Sequence, residues 1–360
     1  MKILLVGNGS LSVAHQELAI AAGLKRAGHE VQVIHDPDSG FFNKGVIPEP
    51  LVESDIIRQQ HGNYKEANIR YEPDVIFGLD QSVSPFVVGI TQHIKKPSFC
   101  MFLDFPKHVI DEGSAPDYNP EYSQRYYYWL SCTESMTNVI FNNNVAVEEL
   151  SKRSKKQAEL VWYPLCNLDL IDKINSESED PNGRYSDPYV ASCHRFIYYK
   201  GTEYLIKALY GLGVNYKAIS VSGNIEQQVI AFGKQILGDI FFYIGKTSEE
   251  EKLKIIKNAM LLCYPQITPW VGGLSPLEAM ALKVPVVCFD YPVLRELYSD
   301  CAVYAKRKDI DDLQEKLLEV LNESDETRIE RANRASERIQ QYFTTDVMAN
   351  NLTKVFEKYL

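Results

Sequence analysis

The sequence predicts two doubly wound α/β domains, on three observations. Length comes first: 360 residues and 41.0 kDa exceed one ordinary core and suit two. Second, short apolar runs rich in β-branched residues alternate with longer segments of helical period, the pattern of parallel sheets layered with helices. Third, six such strands lie on each side of a polar stretch, INSESEDPNGRYSDP (174–188), whose Pro, Gly, Ser and acidic content suits a linker.

In chain order the first half offers MKILLVG, EVQVIH, DVIFGLD, SFCMFLD, NVIFNN and ELVWYP, and the second YVASCHRF, KAISVSG, DIFFYIG, AMLLCYP, VPVVCFD and CAVYAK. Charged helices follow at about 308–322 and 324–342, then a last helix with Thr345 or Asp346 as its N-cap. The expected organisation is an N-terminal domain over 1–173, the linker 174–188, a C-terminal domain over 189–342, and a helix at 343–360 that packs back on the first domain. In open α/β sheets ligands bind beyond the carboxyl ends of the strands, so the strand-end loops are where chemistry is sought.

Composition narrows the function class. A charge of −10 and a pI near 5.3 argue against bulk adhesion to nucleic acid or anionic lipid. One local exception is KRSKKQ, where Lys152, Arg153, Lys155 and Lys156 form either a solvated helix face or a weak peripheral contact with a membrane or acidic partner. No run approaches the roughly 18 apolar residues of a membrane span, and MKILLVGNGS enters a strand directly where a signal peptide would stand, so a cytoplasmic protein is expected. The seven cysteines include no C-x-x-C pair and several lie in strand-like runs, the pattern of buried reduced thiols. The histidines lack metal-ligand spacing, and a zinc site is not expected.

Four stretches carry candidate chemistry. The first strand ends in Gly7-Asn8-Gly9-Ser10, a glycine turn ahead of a helix, which offers free N–H groups and partial positive charge to a phosphate; many such turns need glycine for tightness alone. Arg195 and Lys200 flank a loop leading into a helix at Gly201-Thr202, and two cations there can hold a diphosphate and offset charge that builds as a glycosyl bond breaks. Glycines end two strands, at Gly223 and in Tyr243-Ile244-Gly245-Lys246, where a ligand could approach the backbone closely or the turn could require nothing more. Finally, Gly272-Gly273-Leu274-Ser275-Pro276 presents backbone amides at a helix start, with Pro276 near the first helical position and Glu278 in the first turn, a place that the helix dipole alone favours for a carboxylate.

Arg195-x4-Lys200-Gly201, Gly223, Gly245 and GGLSPLEAMALKVPVV, in that order and spacing, resemble the donor domain of the retaining family 4 glycosyltransferases, the group 1 type with the GT-B fold. The GHEVQVIH junction resembles the acceptor domain of the same family. The resemblance implies two facing Rossmann-like parallel-sheet domains with a cleft between them, and a retaining, metal-independent transfer from a UDP- or GDP-sugar to an acceptor whose identity stays open. It further implies that Glu278 bonds the nucleotide ribose and that Arg195 and Lys200 hold the diphosphate. The amides near Gly272, Gly273, Leu274 and Ser275 would support sugar and phosphate. Gly9, Ser10, Gly223, Ile244 and Lys246 complete the expected donor contacts, and Asp104 stands with the two cations as a candidate catalytic residue.

Two positions depart from the family's pattern. Eight residues before Glu278, where the family carries a glutamate against the sugar, this chain has Trp270; where the family often has histidine before Asp104, it has Leu103. Apolar groups in place of polar sugar contacts suit a donor lacking a hydroxyl, such as a pentose or deoxy sugar. The alternative from another class is a non-catalytic nucleotide-sugar-binding subunit.

Overall fold

The chain's computed structural model describes residues 1–7, 14–35, 47–58, 69–103, 127–152, 156, 158–177, 188–220, 225–268 and 272–360. They form two compact units, one drawn from Met1–Asp111, Asn119–Cys166 and Tyr342–Leu360, the other from Asn167–Gln341.

The first unit is a parallel sheet of β1 (Lys2–Val6), β2 (Glu30–His35), β3 (Ile56–Arg58), β4 (Val75–Leu79), β5 (Ser98–Phe102), β6 (Asn138–Phe141) and β7 (Glu159–Leu160), in spatial order 3-2-1-4-5-6-7. Its helices include α1 (Ala14–Arg26), α2 (Ser84–Ile94) and α3 (Asn144–Ser151). Leu4, Leu5, Phe77, Phe99 and Ile140 are fully buried, which is why the strands read as unbroken apolar runs. Strand β3 is the one the sequence reading lacks: its three residues at the sheet edge are too short for a periodic signal.

The second unit begins with α4 (Leu168–Ser176) and forms a parallel sheet from β8 (Tyr189–Cys193), β9 (Asn215–Ile219), β10 (Phe241–Gly245), β11 (Leu261–Tyr264), β12 (Val286–Phe289) and β13 (Ala302–Ala305), in order 10-9-8-11-12-13. Its remaining helices are α5 (Thr202–Leu209), α6 (Glu226–Leu237), α7 (Glu249–Lys257), α8 (Leu274–Ala281), α9 (Pro292–Tyr298), α10 (Ile310–Leu321) and α11 (Asp325–Tyr342). In each sheet the strand order reverses once, between β1 and β4 and between β8 and β11, and such switch points are where α/β sheets open a crevice for ligands.

Residues 167–173 do not belong with the first domain, nor does the linker begin at 174: α4 buries Ile171 and Ile174, and Asn175 donates to the Ala281 carbonyl at 3.1 Å within the second unit. Composition marked the polar stretch but not the amphipathic helix that enters it. The last helix, α12 (Thr345–Glu357), is capped by Thr344, whose hydroxyl accepts from the Val347 N–H. Tertiary contact sets that start, since Arg26 of α1 bonds Thr345 and Asp346. The helix covers the first sheet, with Phe356 between Phe77 and Phe99 at 5.6 and 5.1 Å between ring centroids.

The basic run is not a continuous exposed helix face. Lys152 lies just past the end of α3 and pairs with Glu149 at 2.8 Å, while half-buried Lys156 donates to the carbonyls of Thr133 and Met136. Arg153 and Lys155 lie outside the described residues. Glu278, expected in the first turn, is instead the fifth residue of α8 and lies beyond it, because the helix starts at Leu274 with Gly273 as N-cap. Pro276 is its third residue. All seven cysteines are free thiols, five of them buried, with Cys132 and Cys166 half-buried. No helix among the described residues is long and apolar enough to cross a membrane.

Candidate active site

The second unit gathers its polar groups at the β8/β11 switch point. From β8 the chain runs through Cys193, His194 and Arg195 into a 3-10 turn, Tyr198–Lys200, and then α5. Gly201 sits at φ +67°, and a Cβ there would fall 2.0 Å from the Pro265 carbonyl oxygen, so only glycine lets this turn press against the chain leaving β11. That contact places Lys200. Its Nζ donates to Tyr264 Oη and Gln266 Oε1, both at 2.7 Å, and lies 5.4 and 5.1 Å from the ring centroids of Tyr199 and Tyr264. Gln266 is fully buried and is itself oriented by donating to the Thr268 carbonyl at 3.1 Å. Arg195 stays exposed, with one long contact from Nη2 to Tyr199 Oη at 3.4 Å.

His194 lies behind these cations. It is buried, shares a 2.8 Å hydrogen bond between Nε2 and Thr202 Oγ1, and burial together with the nearby Lys200 ammonium pushes its pKa down to about 3. The imidazole is therefore neutral at physiological pH. Its Nδ1 has no partner among the described residues.

The start of α8 is fitted to the same place. A Cβ on Gly273 would meet the Tyr264 ring at 2.6 Å, and one on Gly272 would meet Leu297 Cδ1 at 2.0 Å, so both glycines serve close approach. Gly273 has a φ of −111° that any residue adopts. The Gly273 N–H donates to Tyr298 Oη at 2.9 Å, and that buried hydroxyl donates back to the Gly273 carbonyl at 3.1 Å. Ser275 Oγ donates to the Cys193 carbonyl at 2.6 Å, tying α8 to the end of β8.

One turn on, Glu278 is 5% exposed. Its Oε1 accepts from Lys252 Nζ at 2.9 Å and Asn167 Nδ2 at 3.0 Å, and both donors also reach Glu249 Oε1, each at 2.7 Å. Oε2 has no partner among the described residues. Burial pushes the Glu278 carboxyl upward and the Lys252 ammonium opposes it. Burial pulls Lys252 down, but Glu278 and Glu249 more than reverse that and hold it above the ordinary lysine range.

The structure thus brings together Arg195, Lys200, Gly272, Gly273, Leu274, Ser275 and Glu278. Ile244 and Lys246 stand at the end of edge strand β10, two strands from β8, with Ile244 half-buried and Lys246 exposed. Asp104, Gly9, Ser10, Gly223 and Trp270 lie outside the described residues. Tyr264, Gln266, Tyr298, Lys252, Glu249 and Asn167 are missing from the sequence reading. None carries a motif, and the only trace of the first two is that they flank the proline after a strand.

Residues 174–341 match the family model described as glycosyl transferases group 1. No curated protein matches the chain by sequence. Among solved structures, sucrose-phosphate synthase from Thermosynechococcus elongatus superposes with a TM-score of 0.76 at 18% identity, over 99% of this chain and 98% of that one. HepE (Alr3699) of Anabaena, in complex with UDP and glucose, gives 0.74 at 16% identity over 99% and 100%. A glycosyltransferase from Rickettsia africae gives 0.71 at 13% over 99% and 98%. These three establish a shared two-domain α/β fold.

Proposed function

We propose that the chain is a group 1 glycosyltransferase, as the match over residues 174–341 supports, and that it moves a sugar from a UDP- or GDP-sugar to its acceptor with retention of configuration and without a metal ion. The observation that carries the nucleotide assignment is Glu278: a buried carboxylate held through one oxygen, with the other available to a ribose hydroxyl, one helical turn from the backbone amides that begin α8. Lys200 and Arg195 are the groups that hold the diphosphate and offset the charge that grows on it as the glycosyl bond breaks. HepE, whose complexes contain UDP, UDP-glucose, and UDP with glucose, supports a uridine nucleotide as the first donor to try. Leu103 and Trp270 favour a sugar lacking a hydroxyl, a pentose or deoxy sugar, over the usual hexoses.

A panel of UDP- and GDP-activated hexoses, pentoses and deoxy sugars, run with and without EDTA, tests this by released nucleotide and by the anomeric configuration of the product in NMR. The expected result is turnover indifferent to EDTA with the donor's anomeric configuration kept. An inverted product, or turnover that requires an added divalent cation, overturns the corresponding part. A clear preference for glucose or N-acetylglucosamine donors overturns the atypical sugar.

A further inference from the structure

Glu278 is joined to a half-buried lysine that no motif marks. We infer that Lys252 is a positioning residue for nucleotide recognition, fixing the Glu278 carboxylate through Oε1 so that Oε2 accepts from the ribose of a nucleoside diphosphate. This rests on Glu278 being the ribose anchor.

A carboxylate buried as deeply as Glu278 favours its neutral form unless a partner holds the charge. The helix dipole cannot do so, because its influence is confined to the first turn and Glu278 is the fifth residue of α8. Lys252, on α7, supplies the partner: its side chain is 15% exposed and its Nζ reaches Glu278 and Glu249 together. Asn167, at the head of α4, bridges the same two carboxylates from the other side. Among the described residues, the other titratable group facing Glu278 is the Cys193 thiol of β8, which burial pushes up to about 12 and so keeps neutral. Glu249 is half-exposed and screened by water, leaving Lys252 as the cation among the described residues that decides the state of Glu278.

Geometry adds the specificity. With both donors on Oε1, the carboxylate plane is fixed and Oε2 faces one direction, so an acceptor is ready for a hydroxyl without further ordering. An ionised carboxylate accepts a stronger hydrogen bond than a neutral acid.

The test is calorimetric binding of UDP and its 2′-deoxy form, or GDP and its 2′-deoxy form where guanine binds more tightly, at pH 5.5 to 8.5. Wild type should prefer the ribonucleotide by roughly 10- to 100-fold, the range for a hydrogen bond to a charged group. In Lys252→Met that preference should fall toward unity. Ribonucleotide affinity relative to wild type, a ratio that removes the nucleotide's own titration, should drop as pH falls, because Glu278 takes up a proton once the ammonium is gone. Lys252→Arg should restore both, and Lys252→Gln gives the same reading if the methionine variant does not fold. A Lys252→Met protein that discriminates like wild type with a flat pH ratio overturns the inference while Glu278→Ala, by losing discrimination, upholds the anchor. A wild type indifferent to the 2′-hydroxyl overturns both.

Discussion

The two switch points share a topology and differ in chemistry. At β8/β11 the chain leaves the strands with Arg195, Lys200 and the helix start of α8, while at β1/β4 it leaves with Gly7 over a buried Glu17–His35 pair, 3.3 Å apart and fully excluded from solvent, and with Asp80 at φ +88°. A Cβ on Gly7 would meet the Glu17 carboxylate at 2.0 Å, so this glycine makes room for a carboxylate from below, where Gly273 makes room for an aromatic ring. Asp80 holds its unusual backbone by accepting from the Ser82 N–H at 2.8 Å and from its hydroxyl at 2.5 Å. One fold therefore presents cations and amides at one crevice and buried acid–imidazole support at the other. Topology decides where a site can lie, and the side chains arriving there decide what it binds.

The sharpest way to break that contrast is Lys200→Ala. It should lower kcat by roughly 10²- to 10³-fold, the loss seen when one donor to a developing anion is removed. Nucleotide affinity should change much less, which single-turnover kinetics beside calorimetry would separate. If affinity collapses and the chemical step does not, Lys200 binds the ground state and the assignment of the second crevice changes.

Glu17→Ala tests the other side. Leaving buried His35 without its carboxylate should cost about 3 kcal/mol of stability, read by denaturant unfolding, because it strips a partner from a buried polar group and opens a cavity. UDP affinity should be unchanged. A comparable loss of nucleotide affinity would mean that the first unit's acid pair serves the donor.

Gly201→Ala should cost roughly 1–3 kcal/mol, since it forces a side chain into left-handed backbone against the Pro265 carbonyl. Displacement of Lys200 should follow, seen as a fall in kcat alongside the lower Tm. Unaltered kinetics would show that the Gly201 turn does not place the cation.

The smallest effect concerns His194. Its folded pKa of about 3 lies below the unfolded value near 6.5, so the unfolded chain binds the extra proton between those values. Stability from this group is complete above pH 6.5 and declines as pH falls toward 3, with a slope of at most about 1.4 kcal/mol per pH unit. His194→Gln should flatten that part of the stability profile. An unchanged slope would mean that other groups carry the acid sensitivity.

Twelve of the thirteen strands among the described residues coincide with apolar runs legible in the sequence, most of them because strands buried on both faces must be continuously apolar. β3 escaped because three edge residues carry no period, and the start of the second unit escaped because α4 enters the polar stretch. Arg195, Lys200 and the glycines before α8 were legible because a turn against a helix start restricts residue type. Trp270 and Asp104, read with them, lie outside the described residues.

The sequence by itself determined the two α/β sheets, the order of the strands along the chain, and the presence of two cations and a lone carboxylate in the second half. Tertiary structure decided what surrounds them. Tyr264 and Gln266 meet Lys200 across 64 and 66 residues, and Lys252 and Asn167 meet Glu278 across 26 and 111. Such pairings depend on which strand neighbours which in the sheet, and local pattern carries no record of that. The carboxylate of Glu278, which by position alone could have answered a helix dipole, is instead held by a lysine from another helix.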